Sequence, residues 1–196
     1  AQDLLAGLVE RGLSPDKKRL FVLDGSKALR VAIRKIFGDA PVQRCRAHKL
    51  RNVLERLPEE QRQQAQAAVR AAWKLDAKQG LAQLAKLAEW YERDWPAAAA
   101  ALREGAEECF TINRLGVPPS LWRCLATTNI IESPNAGVRL RTARITRWQG
   151  ADMVQRWVAA SLLDAEKSFR KIMGYRDLWM LDAILNPATS SQQEAA

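Results

Sequence analysis

The sequence predicts an α/β protein in which helices predominate. Residues 1–45 alternate between helical and strand patterns, the order of elements found in α/β sheets. From residue 46 to residue 110 only helical patterns follow, rich in Ala, Leu, Gln, Glu and Arg. The 196 residues are 47% hydrophobic, which is enough for one domain, or one domain with an insertion, around a packed core.

The first four elements have clear boundary signals. A short apolar run ends in Asp24-Gly25 and reads as a buried strand. The next helix has Ser26 as its expected N-cap and Gly38 as its stop. In chain order, the predicted elements are a helix (1–12), a strand (20–23), a helix (26–38) and a strand (40–45).

The remaining elements are predicted to be helices joined by loops. Gly116, Pro118 and Pro119 predict a loop over residues 114–122. The last residues, from about 186, read as a frayed tail. The predicted helices cover residues 48–57, 59–75, 79–95, 98–110, 135–146 and 150–174.

Composition limits the classes of partner and compartment. A formal net charge of +9 and a pI near 9.9 favour a polyanionic partner, most simply nucleic acid. Three cysteines without close pairs argue against a disulfide scaffold and suit a reducing cytoplasm. No run approaches 18 apolar residues, so no membrane span is expected.

Asp24 has two readings. A carboxylate at the end of a strand is well placed to hold a metal, because ligands gather beyond the carboxyl ends of strands in open α/β sheets. Asp-Gly is also among the commonest turn pairs, so Asp24 could serve only the turn.

Glu132 also has structural readings beside a catalytic one. Asn129 and Glu132 have the spacing of a capping box. Alternatively, a helix begins with Ser133 as N-cap and Pro134 at its first position, with Glu132 at the helix mouth. In either case Glu132 and Arg139 are seven residues apart and fall on one helix face. A metal ligand beside bound phosphate is the third alternative.

Cys45 and His48 have the spacing of one half of a zinc site. A structural zinc site needs four ligands, usually as two close pairs, and only Cys109 and Cys124 remain, fifteen positions apart. A classical zinc finger is therefore not expected.

A basic segment follows Glu132. Nine basic residues against three acids lie between positions 135 and 176. Arginine suits bidentate contacts with phosphate. The arginines proposed to bind DNA are Arg139, Arg141, Arg144 and Arg147.

Four segments in order resemble the Mutator-type transposases of bacterial insertion sequences. They read "FVLDGSKAL" (21–29), "VQRCRAHKLRNVL" (42–54), "TTNIIESPNAGVRLRT" (127–142) and "MVQRWVAASLLDAEKSFRKIMGYRDLWML" (153–181). The resemblance covers nearly the whole chain.

The resemblance implies a catalytic domain of the RNase H-like type with a DDE triad of acids that binds two Mg²⁺ or Mn²⁺ ions. Asp24 matches the second acid and Glu132 the third. Cys45 and His48 match a Cys-x-x-His pair near the active site. The implied segments are a partial RNase H-like part (1–45), a helical insertion (46–125), C-terminal RNase H-like helices (126–185) and a tail (186–196).

The resemblance also implies partners and a location. Double-stranded DNA, both insertion-sequence ends and target, is the expected substrate of strand cleavage and joining. A homo-oligomer is expected, in the bacterial cytoplasm at the nucleoid.

The first acid of the triad is the point of departure from the family pattern. It belongs to a strand before the first helix, and this chain begins in that helix. The upstream acids Asp3 and Glu10 lie in a helical pattern, and Asp16 lies in a turn. We therefore expect the C-terminal part of such an enzyme, with an incomplete site and little or no strand cleavage by itself. The alternative is an inactive remnant that only binds DNA or a transposase.

Overall fold

The computed structural model describes residues 1–187, which form a predominantly helical structure with one small sheet. The strands β1 (Phe21–Leu23) and β2 (Val42–Arg44) pair in parallel, with Phe21 opposite Val42. The α-helices of the described residues are α1 (Gln2–Glu10), α2 (Lys27–Phe37), α3 (Arg46–Leu54), α4 (Glu59–Ala72), α5 (Ala77–Tyr91), α6 (Pro96–Arg103), α7 (Thr111–Arg114), α8 (Pro119–Leu125), α9 (Asn129–Thr142), α10 (Ala151–Glu166) and α11 (Leu178–Leu185). Two 3₁₀ turns cover Glu107–Phe110 and Tyr175–Asp177.

The predicted alternation of helices and strands in residues 1–45 is confirmed. α2 connects the two parallel strands, as such a connection requires a crossover. The apolar sides of α1, β1 and α2 bury Leu5, Leu23 and Ile33 in one cluster. Ser26 caps α2 by accepting a hydrogen bond from the backbone N–H of Leu29 at 3.3 Å. Gly38 ends the helix with φ of +63°.

Helices α3 to α6 form the main apolar core, as the helical pattern after residue 46 predicts. Tyr91, Leu102 and Phe110 are fully buried in it. Gly80 is required by packing, since a Cβ there would lie 2.3 Å from the Phe110 ring. α5 thus lies close to the 3₁₀ turn at residues 107–110.

Buried polar groups join this helical part to the sheet. The Gln43 side chain, on β2, donates to the carbonyl of Cys109 at 3.0 Å and accepts from the N–H of Ile112 at 3.1 Å. The Arg46 Nε donates to the same Cys109 carbonyl at 2.9 Å, and its guanidinium lies 5.4 Å from the Trp73 ring centre. Burial lowers the pKa of Arg46 to about 10, so it is charged at neutral pH.

Two predictions for residues 98–122 are wrong. The helix predicted over 98–110 ends at Arg103, because Gly105 adopts a φ of +62° and turns the chain. The loop predicted over 114–122 contains α8, which begins at Pro119. A proline at the first helical position loses no hydrogen bond, so Pro118-Pro119 starts this helix.

The helix predicted over 150–174 ends early, at Glu166. The Ser168 hydroxyl donates to the carbonyl of Ala165 at 2.7 Å and so satisfies one of the open carbonyls at the helix end. Gly174, in the left-handed region, then turns the chain into the second 3₁₀ turn.

The predicted frayed tail, 186–196, falls outside the described residues from position 188 onward. α10, with 16 residues, is the longest described helix, and within residues 1–187 no helix has the length and apolarity to cross a membrane.

Candidate active site

The carboxyl ends of β1 and β2 meet at one edge of the sheet. The backbone N–H of Cys45, the residue after β2, donates to the carbonyl of Leu23 at 2.6 Å. Asp24, the residue after β1, is exposed at the same edge. Its Oδ1 accepts from the N–H of Ser26 at 2.9 Å. The turn reading of Asp24 therefore holds for one oxygen, while Oδ2 has no hydrogen bond within residues 1–187.

Gly25 is needed beside Asp24 for two reasons. Its φ of +110° is a backbone conformation that other residues rarely adopt. A Cβ at this position would also lie 1.9 Å from Cζ of Arg44. The Arg44 guanidinium therefore packs directly against the turn that carries Asp24, and its Nη2 donates to Glu104 of the helical part at 3.2 Å.

Glu132 lies in the first turns of α9, but neither predicted helix start is right. α9 begins at Asn129 with Thr128 at the N-cap position, so Asn129 is not the cap and Ser133 is already helical. Pro134 lies inside the helix, where only the hydrogen bond to the carbonyl of Ile130 is lost. This loss is tolerated within two turns of the helix start.

Thr128 holds the Glu132 carboxylate, and His48 lies beside it. The Thr128 hydroxyl donates to Oε1 of Glu132, and Nδ1 of His48 lies 3.7 Å from the same oxygen. The Glu132 side chain is 45% exposed, so its remaining oxygen surface faces solvent. α3, which carries His48, and the start of α9 therefore come together at the Glu132 carboxylate.

Cys45 lies behind this carboxylate and is fully buried. Its Sγ accepts from the backbone N–H of Thr128 at 3.4 Å and lies 3.3 Å from Nδ1 of His48. The Thr128 hydroxyl, which donates to Glu132, also lies within hydrogen-bond distance of the sulfur, at 3.3 Å, so its one proton is shared between the two acceptors. Burial raises the pKa of the Cys45 thiol, but these hydrogen bonds outweigh burial and leave the pKa below its ordinary value.

The Cys-x-x-His pair thus contacts the Glu132 segment. Cys109 lies in the core of α3 to α6, and Cys124 lies in a separate cluster with Leu121. Neither cysteine joins Cys45 and His48.

The oxygen donors of Asp24 and Glu132 match in kind what Mg²⁺ or Mn²⁺ requires, since hard cations prefer carboxylates. In number they fall short. Across residues 1–187 no three His, Cys, Asp or Glu side chains are grouped so that they could hold a metal ion. The upstream acids Asp3 and Glu10 lie on α1, and Asp16 lies in a bend, so none of them is on a strand.

The four arginines predicted to bind DNA fall into two groups. Arg141 is nine residues from Glu132 and so points to the opposite side of α9, where its Nε donates to Asp164 of α10 at 2.8 Å. This contact lowers the pKa of Asp164. Arg139, seven residues from Glu132, shares its face. In the described part of the chain, Arg139, Arg144 and Arg147 are exposed and have no side-chain hydrogen bond or ion pair.

Sequence reasoning missed Thr128 and Arg44 as members of this region. Thr128 had a local signal, because a threonine immediately before a helix is a common N-cap and Glu132 follows it by one turn. Arg44 had none. Its place against Gly25 depends on the pairing of β1 with β2 and on Glu104, sixty positions away.

Comparisons with known proteins identify the family. The family described as "Transposase, Mutator family" matches residues 2–172. The chain is 32% identical over 143 residues to the transposase for insertion sequence element IST2 of Acidithiobacillus ferrooxidans, covering 72% of this chain and 47% of that protein. It is 32% identical over 167 residues to the transposase for insertion sequence element IS6120 of Mycolicibacterium smegmatis, covering 83% of this chain and 49% of the relative.

A third relative is the transposase for IS256 in transposon Tn4001 of Staphylococcus aureus, 31% identical over 161 residues, or 80% of this chain and 40% of the relative. The chain thus spans about half the length of the curated relatives it matches. A family match over residues 2–172 covers most of the chain. The chain therefore belongs to the Mutator family of transposases.

Proposed function

We propose that this chain is the C-terminal part of the catalytic region of a DNA transposase. In this proposal residues 1–45 and 126–185 belong to an RNase H-like domain and residues 46–125 form a helical insertion. Asp24 and Glu132 are two acids of a DDE set that holds Mg²⁺ or Mn²⁺. Double-stranded DNA, as insertion-sequence ends and target, is the substrate.

One chain of contacts carries the proposal. Asp24 follows Leu23, and the Leu23 carbonyl accepts from Cys45. Cys45 accepts from Thr128, and Thr128 donates to Glu132. Two acids that are far apart in the sequence are thus linked through three consecutive contacts at one edge of the sheet, the edge where α/β proteins place their ligands.

In this proposal some side chains position the acids and others contact DNA. When bound, divalent ions supply electrostatic stabilisation of phosphodiester cleavage and lower the pKa of attacking water. Thr128 keeps the Glu132 carboxylate in one orientation, with His48 beside it. Arg139, on the same face of α9, is placed to contact a DNA phosphate, with Arg144 and Arg147 beyond the helix end. Arg141 instead holds α9 against α10.

For the isolated chain we propose metal and DNA binding without strand cleavage. The specific observation is that within residues 1–187 no group of three His, Cys, Asp or Glu side chains is placed to hold a metal ion. The same observation favours the second candidate function, a remnant that binds DNA or a transposase without chemistry. Metal binding by both carboxylates separates the two candidates.

The test is Mn²⁺ binding measured by electron paramagnetic resonance in the presence of duplex DNA. We expect Asp24→Asn and Glu132→Gln each to weaken Mn²⁺ binding roughly tenfold or more. Glu166→Gln, which removes an exposed acid of α10, should leave Mn²⁺ affinity unchanged. Mn²⁺ binding that survives both substitutions would overturn the assignment of these acids. Nicking of DNA that Glu132→Gln abolishes would show instead that the chain is a complete enzyme.

Assembly into a homo-oligomer is part of the same proposal. It is supported by exposed apolar side chains on α9 and α10, among them Ile131, Leu140 and Leu163. Light scattering during size-exclusion chromatography, with and without DNA, measures the number of copies.

A further inference from the structure

A cavity of about 180 Å³ lies between the first turn of α2 and the Glu104–Gly105 turn of the helical part. Gly25 and Ser26 form one wall, so the cavity is next to Asp24. Its basic side chains are Lys27, Arg30 and Arg44. Its two acids are already paired: Glu104 with Arg44 and Lys49, and Glu108 with Arg30.

The start of α2 supplies backbone donors to this cavity. The backbone N–H of Ser26 donates to Asp24, and the Ser26 hydroxyl oxygen accepts from the N–H of Leu29. The N–H groups of Lys27 and Ala28, the first two of the helix, have no acceptor within residues 1–187, as expected at a helix start. Partial positive charge at this end of an 11-residue helix favours an anion.

Arg44 provides an independent indication of a ligand. Its side chain is only 8% exposed, yet Nε is buried and has no hydrogen-bond partner in the described residues. A buried donor without an acceptor is costly, and native structures rarely retain one. Gly25 lets the guanidinium approach the turn, and Glu104 anchors Nη2. The side chain is thereby held at the wall of the cavity, and its Nε is a donor without a partner among residues 1–187.

We propose that this cavity binds one backbone phosphate of a DNA strand, through Arg44, Lys27 and the first N–H groups of α2. This inference rests on the proposed function, since it takes DNA as the partner. The site is separate from the arginines of α9 and lies beside Asp24. It holds the strand on the β1 side of the two acids, while Arg139 holds it on the Glu132 side.

The experiment measures duplex DNA affinity by fluorescence anisotropy at several salt concentrations, using the whole chain. Neutralising one phosphate contact lowers the salt slope by about 0.9. Arg44→Gln should lower the slope by that amount and weaken binding roughly 10- to 100-fold, the range for a lost charged hydrogen bond. Lys27→Gln, at the exposed first position of α2, should lower the slope similarly without affecting the fold. The matched control is Lys78→Gln, an exposed lysine near the start of α5.

The outcomes separate this inference from the proposed function. If the wild-type chain binds DNA and Lys27→Gln and a folded Arg44→Gln retain its slope, the phosphate site is overturned and DNA binding stands. If Arg44→Gln fails to fold, Lys27→Gln alone decides. If the wild-type chain does not bind DNA, both DNA assignments fail. Inorganic phosphate that raises the melting temperature of the wild type but not of Lys27→Gln would then show a site for free phosphate.

Discussion

Nδ1 of His48 lies 3.7 Å from Oε1 of Glu132, and the Thr128 hydroxyl donates to the same oxygen. The two residues come from α3 and α9 and meet above the buried thiol of Cys45. The position of Glu132 therefore depends on the sheet edge as well as on its own helix. A substitution at Thr128 should disturb the carboxylate and the thiol together.

Thr128→Val tests this coupling. We expect a loss of about 1–2 kcal/mol of unfolding free energy, because one hydroxyl that contacts two groups is removed. The pKa of the Cys45 thiol should rise, since a hydrogen bond from Thr128 is among the causes that lower it. The ultraviolet absorbance of the thiolate against pH measures this shift. Thr127→Val is the matched control, and an equal shift in both variants would contradict the network.

Gly25→Ala should destabilise the chain more than Gly38→Ala. Both glycines have positive φ, but a Cβ at Gly38 meets no atom within 4 Å, whereas one at Gly25 strikes Arg44. Backbone strain alone costs about 1–3 kcal/mol, and Gly25→Ala adds displacement of a buried guanidinium. Urea denaturation compares the two variants. Equal losses would mean that Arg44 moves aside without cost.

Cys109→Ala should make the unfolding free energy fall less steeply as pH rises into the alkaline range. Burial raises the pKa of Cys109 to about 11 from its ordinary value of 9.0. The folded chain therefore keeps a proton that the unfolded chain loses, so this stabilisation is complete below pH 9 and disappears as pH rises through 11. The loss is about 2–3 kcal/mol. Chemical denaturation from pH 8.5 to about 11 measures it, with Cys124→Ala as the control that retains the decline.

Arg139→Gln should affect DNA binding, whereas Arg141→Gln should affect thermal stability. Arg139 is exposed on the Glu132 face, so its loss should lower the salt slope of DNA binding by about 0.9 and leave the melting temperature unchanged. Arg141 is bound to Asp164, so its loss should lower the melting temperature and leave the slope almost unchanged. Anisotropy and thermal unfolding on the same samples provide both readings. The reverse pattern would place the DNA on the α10 side of α9.

The sequence by itself predicted most of the local elements and indicated Asp24 and Glu132 as candidate acids. Periodic apolar residues, Ser26 and Gly38 predict α2 almost to its ends, because helix boundaries depend on residues only a few positions away. The ordered motifs around Asp24 and Glu132 indicated the family, which the comparisons confirm. The start of α9 was misjudged because Pro134 suggested a boundary that the structure does not have.

Only the tertiary structure decided which side chains support the acids. Arg139 and Arg141 look equivalent in the sequence, but packing of α10 occupies one and leaves the other exposed. Arg44 reaches Gly25, and Thr128 reaches Cys45, across pairs of elements that are far apart along the chain. Such contacts depend on how all the elements pack together, and the periodicity of a single segment does not predict that packing.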